Sequence, residues 1–250
     1  LSRMGVDSTI ADGVITVKVP EYRNDFLHAA DIVEDIMIGH GLLNFAPVLS
    51  GEFTKGSLSP AEEYARKVKR LMVGLGFQEM MYNYLGSRKE YVDNMHISDE
   101  KVVFIANPMS ENYEVIRPSI LPCLLESESV SGHAVYPHLI FECGKVTVKD
   151  ENDNSGTHTG NSVGFLAANV SMGYNDAASY IQTLMYFLRK DYTLSPVEDD
   201  PRFIPGRAAY VMYKGEKAGV FGEIHPAVLE SWGCTMPAIM AELDMDILLK

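Results

Sequence analysis

Apolar and polar positions alternate along GVITVKV, residues 13–19, and the run is β-branched, which predicts a strand closed by Pro20. The period then lengthens. In HAADIVEDIMIGHG, residues 28–41, Ala29, Ile32, Val33, Ile36 and Ile38 fall at helical spacing and predict a helix that stops near Gly39 or Gly41. Both periods vanish in NFAPVLSGEFTKGSLS, residues 44–59, whose Gly, Pro and Ser content makes it the best domain boundary in the chain. A second helix begins cleanly after it. Ser59 and Glu62 have the spacing of a capping box, with Pro60 at the first helical position, and Tyr64, Val68, Leu71, Met72 and Leu75 supply one apolar face.

Further on, FQEMMYNYL and KVVFIA read as strands, and Ser87 with Glu90 repeats the capping-box spacing for a short helix between them. Ser119 is placed to cap a helix through ILPCLLESES, with Pro122 near its first turn. LIFECGKVTV predicts a strand that enters the polar loop KDENDNSGTHTGN, and SVGFLAANV is its antiparallel partner. Ala178, Ile181, Leu184, Met185 and Leu188 mark an amphipathic helix over 175–190. AAYVMY, KAGVFGEI and AIMAELDM supply the last strands, the first two joined by a Lys214-Gly215 turn. Strands that follow one another with helices interspersed predict an α+β domain, an antiparallel sheet flanked by helices, behind part of a small α/β module.

Composition narrows the class. The 250 residues suffice for a sizeable core, and 46% hydrophobic with 22% charged residues is ordinary for a soluble globular protein. No apolar run approaches the ~20 residues of a membrane span. The start, LSRMGVDSTIADG, has neither an initiator Met nor the apolar stretch of a signal peptide, and is expected to be a cut within a longer protein. A net charge of -13 argues against a nucleic-acid groove over this piece, since phosphate binding needs clustered Lys and Arg. The one dense basic cluster, ARKVKR at 65–70, reads as the solvated face of a helix. Cys123, Cys143 and Cys234 are far apart and set among apolar residues, which favours buried thiols in a reducing cytoplasm.

Two constellations invite chemistry. In FGEIHPAVLESWG, residues 221–233, alternation puts Glu223 and His225 on one side of the chain, within reach of a mutual hydrogen bond. Pro226, however, suits the first position of a helix and pushes His225 out of the α region, so the stretch reads as a strand-to-helix junction. An acid–base pair would also need a nucleophile or oxyanion partner, and none is legible nearby. In YRNDFLHAADIVED, Asp31, Glu34 and Asp35 stand at i, i+3 and i+4 on one helix face, and Asp25 can fold back beside them. Four hard oxygen donors suit Mg²⁺ or Ca²⁺. The same acids also suit a helix N-terminus through its dipole, with Arg23 pairing one of them, and spacing leaves both readings open.

These residues carry a family resemblance. VPEYRNDFLHAADIVEDIMIGHGLLNF is similar to the fifth domain of the phenylalanyl-tRNA synthetase β subunit, which reads V-P-x-x-R-x-D, then D-[IL]-[IVL]-E-[DE] and a glycine-containing helix end. NPMSENYEVIRPSILPCLLE, LIFECGKV, FIPGRAA and VFGEIHPAVLESWG resemble further blocks of that family, and Gly206-Arg207-Ala208 with Gly222-Glu223-x-His225-Pro226 is the most specific combination. Short loops resemble the archaeal or eukaryotic cytosolic type. The resemblance implies that residues 1–45 form the C-terminal half of the fifth domain, 46–57 a linker, and 58–250 a catalytic-like domain with the class II aminoacyl-tRNA synthetase fold.

It also implies a cytoplasmic subunit of phenylalanine–tRNA ligase whose α partner, in a heterotetramer, binds phenylalanine and ATP and carries out the charging of tRNA. The β chain then meets tRNA only indirectly and touches no membrane. Asp25, Asp31, Glu34 and Asp35 match the carboxylates of the family's Mg²⁺ site, shared with α. Class II activation needs arginines to neutralise phosphate charge in transfer. No arginine follows Arg207, which agrees with a chain that has no catalytic residues of its own. The alternative is a free-standing, divergent paralogue that keeps the class II fold as a binding or regulatory module.

Overall fold

A computed structural model describes all 250 residues, Leu1–Lys250, which divide into two compact units at Gly56/Ser57. In the first unit, β1 (Asp7–Ala11) and β2 (Val14–Lys18) form an antiparallel hairpin, followed by α1 (Ala29–His40). The sequence reading found β2 and missed β1, whose Ser and Thr hide the strand. The signal was the Asp12-Gly13 turn, where both residues sit at positive φ, as a two-residue hairpin loop requires.

The second unit begins with α2 (Pro60–Gly74), where Ser59 Oγ accepts from the Glu62 amide. The expected capping box is only half made, because the Glu62 carboxylate turns outward to Arg66. Four short strands follow: β3 (Gln78–Glu79), β4 (Leu85–Gly86), β5 (Val103–Phe104) and β6 (Val115–Ile116). FQEMMYNYL is thus not one strand. After Glu79 the chain leaves the main sheet and re-pairs at Leu85 in a small three-stranded sheet of order β4-β6-β5. KVVFIA contributes only Val103–Phe104 to it.

α3 (Leu121–Val130) leads into the long hairpin of β7 (His138–Lys149) and β8 (Thr157–Ala168). β8 starts five residues earlier than its apolar pattern predicts, because THTGN carries the ladder out of the core. Then come α4 (Tyr174–Leu188), β9 (Thr193–Pro196), β10 (Phe203–Tyr213), β11 (Glu216–Ile224), α5 (Pro226–Trp232), β12 (Ala238–Asp244) and α6 (Met245–Leu249).

The main sheet has the order β3-β7-β8-β12-β11-β10-β9. It is mixed, which corrects the expected all-antiparallel sheet: β3 runs parallel to β7, and the chain between them crosses over through the small three-stranded sheet and the helix Leu121–Val130. Every other pair is antiparallel. Alternation along β8 and β12 splits the core. Val163, Phe165, Ala167, Ile239, Ala241 and Leu243 face α2, α4 and α6, while Leu166, Ala168, Ala238 and Met240 face α3 and α5. No helix is long and apolar enough to cross a membrane. All three cysteines are free, and burial pushes Cys143 up to about 12 and Cys234 up to about 11, so both remain thiols at neutral pH.

Candidate functional site

The acidic patch of α1 is built around one arginine. Arg23 donates through Nε and Nη2 to Asp25 at 2.8 and 2.7 Å, and through Nη1 to Asp35 at 3.4 Å. Asp31 has a different task. Its Oδ2 accepts from the amides of Leu27 and His28, both at 2.7 Å, while His28 Nδ1 accepts from Ala30, closing the helix N-terminus. Arg23 holds Asp25 down at about 2, and the His28 and Leu27 amides lower Asp31. Glu34 is exposed.

The four carboxylates predicted as a Mg²⁺ set are therefore not gathered, and no group of three or more acidic, His or Cys side chains is placed to hold a metal ion. The physical reason is that one guanidinium already pairs with two of them and backbone amides engage the third. Millimolar Mg²⁺ should accordingly leave the melting of the 1–56 unit unchanged, whereas Arg23→Ala should lower it, as read by calorimetry. A rise in melting temperature on adding Mg²⁺ to the wild-type chain would show that the arginine gives way to the metal.

The α3 face of the main sheet carries a buried polar layer. Arg117 is fully buried and makes a bidentate pair with Glu142 on β7, at 2.8 and 3.0 Å. Its Nε donates to the Lys145 carbonyl, and its guanidinium lies 4.5 Å from the Tyr84 ring centroid. Burial pulls Arg117 down, but the hydrogen bonds and charge of Glu142 outweigh it, so the arginine stays charged. Beside this pair, Ser119 Oγ donates to Glu242 on β12 and the Ile120 amide donates to its other oxygen at 3.0 Å. Gly144 completes the layer, since a Cβ there would stand 2.2 Å from Arg117 Nη2. Local spacing assigns no role to these charges. The signal available was a charged residue set inside each apolar run: RPSIL, IFECG and MAELD.

Burial raises Glu242, with Ser119, the Ile120 amide and Arg202 opposing it. The folded chain therefore holds this proton to higher pH than the unfolded chain does. Stability from this group is present below the unfolded pKa, is lost as pH rises toward the raised value, and levels off above it. Glu242→Gln should flatten that part of the stability–pH curve in urea denaturation. An unchanged slope would assign it to another group.

At the strand-to-helix junction, His225 caps α5. Its Nδ1 accepts from the Ala227 amide at 3.1 Å, its own amide donates to the Arg202 carbonyl at 2.8 Å, and Pro226 is the first helical residue. Glu223 is not bonded to His225. One oxygen accepts from the Tyr174 amide at the start of α4, at 2.7 Å, and the other pairs with Arg207 at 2.6 Å. Ala208 lies opposite Gly222 in the β10–β11 register, so Gly-Arg-Ala and Gly-Glu-x-His-Pro form one interlocked unit.

A different surface is left open beyond α2. Val73, Met81 and Tyr84 are 56%, 88% and 52% exposed, and Met109 is 99% exposed. Two clefts of about 600 and 540 Å³ meet there and share Asn83, Leu85 and Tyr113. Met81 lines the first of these clefts, and Tyr84 and Met109 line the second.

Comparison with known proteins accounts for these motifs. The family profile described as "Phenylalanyl tRNA synthetase beta chain CLM domain" matches residues 47–245, and "tRNA synthetase B5 domain" matches residues 1–42. The phenylalanine–tRNA ligase β subunit of Borreliella burgdorferi is 45% identical over 100% of this chain and 44% of its own length. That of Treponema pallidum is 43% identical over 99% of this chain and 41% of its own length. The chain spans less than half the length of these curated relatives. It belongs to the phenylalanyl-tRNA synthetase β chain family.

Proposed function

We propose that the chain is the non-catalytic core of a phenylalanine–tRNA ligase β subunit, of the archaeal or eukaryotic type in its short loops. It supports ATP-dependent charging of tRNA by an α subunit in the cytoplasm. In this reading residues 1–45 are the C-terminal half of the fifth domain, 46–57 a linker, and 58–250 a class II synthetase-like domain. Supporting that fold are the parallel edge strand after α2, the antiparallel β7–β8 hairpin, and the placement of β12 with its following helix beside β8.

One observation carries the proposal. The sheet face between β7, β8 and β12 is filled by α3, with Arg117, Glu142, Ser119 and Glu242 bonded to one another or to backbone. An activating site would need cationic groups free to meet a phosphate as its charge develops, and Arg117 is spent on Glu142. ATP and phenylalanine then belong to α, which docks on the exposed face beyond α2 and assembles a heterotetramer. Contact with tRNA is indirect. Magnesium serves the ATP-dependent reaction, and on this chain Asp25, Asp31, Glu34 and Asp35 are its proposed ligands, shared with α, for which Arg23 must release Asp25 and Asp35.

The test is co-expression of the full-length gene with the α subunit of the same organism. The two should co-purify and charge tRNA with phenylalanine together, and neither should do so alone. Charging by the β chain without α would overturn the reading, as would a failure of the two to associate.

A further inference from the structure

We propose that the cleft beside the start of β7 binds a small apolar molecule ending in a hydroxyl group, which His138 meets through Nε2. The cleft measures about 530 Å³, the size of a small-ligand site. His138 lines it, and its side chain is only 10% exposed. Its Nδ1 stands 2.8 Å from Glu128 Oε2 on α3, and the Tyr136 hydroxyl donates to Glu128 Oε1 at 3.1 Å. The Tyr136 ring stacks on the imidazole with centroids 3.9 Å apart, so the ring is fixed from two sides. Nε2 is left buried with no hydrogen-bond partner. Leaving such an atom unpaired is costly in a folded chain, and a ligand that supplies the partner gains by it.

The atoms that remain open decide the class of ligand. Both Glu128 oxygens are engaged, so no carboxylate is free to hold a cation. One nitrogen alone does not hold a metal ion, and no three ligating side chains gather beside it. A hydroxyl both donates and accepts, so it suits Nε2 whether or not that atom carries the proton. An ammonium cannot accept, and a carboxylate cannot donate. The other hydroxyls of the cleft turn inward: Ser127 Oγ bonds the Tyr82 hydroxyl at 2.6 Å, and Ser131 Oγ donates to the Ser127 carbonyl at 2.6 Å. Met80, Val135, Leu139 and Ile140 make the remaining wall apolar, which sets the body of the ligand. Entry is past residues 131–137. Their backbone is held by local bonds, from the Ser131 amide to the Glu128 carbonyl and from the Ala134 amide to the Ser131 carbonyl, and gives way at low cost.

The experiment follows binding of para-fluorophenol and fluorobenzene to the full-length β chain by fluorine NMR. Para-fluorophenol should bind about tenfold tighter than fluorobenzene, the worth of one neutral hydrogen bond. The double variant Glu128→Leu/His138→Leu removes the nitrogen without leaving a carboxylate buried alone, and should bring the two probes within about twofold of each other. Ala134→Trp, at an exposed loop position lining the cleft, leaves the Glu128–His138 pair untouched and should abolish binding of both. That variant keeps the test decisive should the double variant fail to fold. Equal affinity of the two probes for the wild-type chain would show that His138 does not read the hydroxyl, and would overturn the proposal. So would binding that survives Ala134→Trp, which places the probes elsewhere. Failure of either probe to bind would assign Nε2 to a water only, and the site would fall. Charging of tRNA plays no part in the readout, so this result is independent of the function proposed above.

Discussion

Replacing Arg117 by alanine should destabilise residues 57–250 by about 3–5 kcal/mol, the range for breaking a buried ion pair by removing one partner. The loss is large for three reasons. Glu142 is left buried with no counter-charge, the Lys145 carbonyl loses its donor, and the Tyr84 ring loses the guanidinium it packs against. In a domain of this size that is a fall of roughly 10 °C in melting temperature. The double variant Arg117→Met/Glu142→Leu should recover most of it, because two apolar side chains of similar volume avoid desolvating any charge. A melting shift of under about 2 °C for Arg117→Ala would mean that water reaches Glu142.

Gly222→Ala should cost about 3 kcal/mol, toward the upper range for overpacking a core. A Cβ at Gly222 would stand 2.6 Å from both the Arg207 carbonyl and the Ala208 Cβ, and 2.8 Å from the Ala208 Cα. Two of these neighbours are backbone atoms of an adjacent strand, so no rotamer change relieves the contact. β10 and β11 must separate, which also strains the Arg207–Glu223 pair beside them. Gly132→Ala is the matched control, since a Cβ there meets nothing within 4 Å. Differential scanning calorimetry should show Gly132→Ala close to wild type and Gly222→Ala well below it. Equal melting of the two would remove close backbone approach as the reason for glycine at 222.

The large elements were legible because their signals are local. α2 has Ser59 before Pro60 and an apolar stripe at helical spacing, and β10 to β12 read as alternating runs with a Lys214-Gly215 turn. What escaped is set by distant partners. β3 and β4 are cut from one apolar run because only Gln78–Glu79 finds β7 and only Leu85–Gly86 finds β6, and no local period encodes that choice. The α1 carboxylates show the same limit. Helical spacing puts Asp31, Glu34 and Asp35 on neighbouring positions, but rotamers sent Asp31 back to the Leu27 and His28 amides and Asp35 toward Arg23. At Glu223 the two-residue spacing to His225 was visible in the sequence. Its bonds to Tyr174 and Arg207, 49 and 16 residues away, were not.

The central claim, that this chain contributes architecture and not catalytic groups, is tested most directly at the junction where an acid and an imidazole stand two residues apart. The measurement is phenylalanine charging of tRNA by the full αβ enzyme carrying His225→Ala, and separately Glu223→Gln, at a temperature where each variant remains folded. His225→Ala removes the cap that accepts from the Ala227 amide, with a stability cost of ~1–2 kcal/mol. Charging should change by less than about tenfold for either variant, under ~1.4 kcal/mol of barrier. A loss of several hundredfold with unchanged melting would contradict the account and place an acid–base pair where it assigns a helix cap.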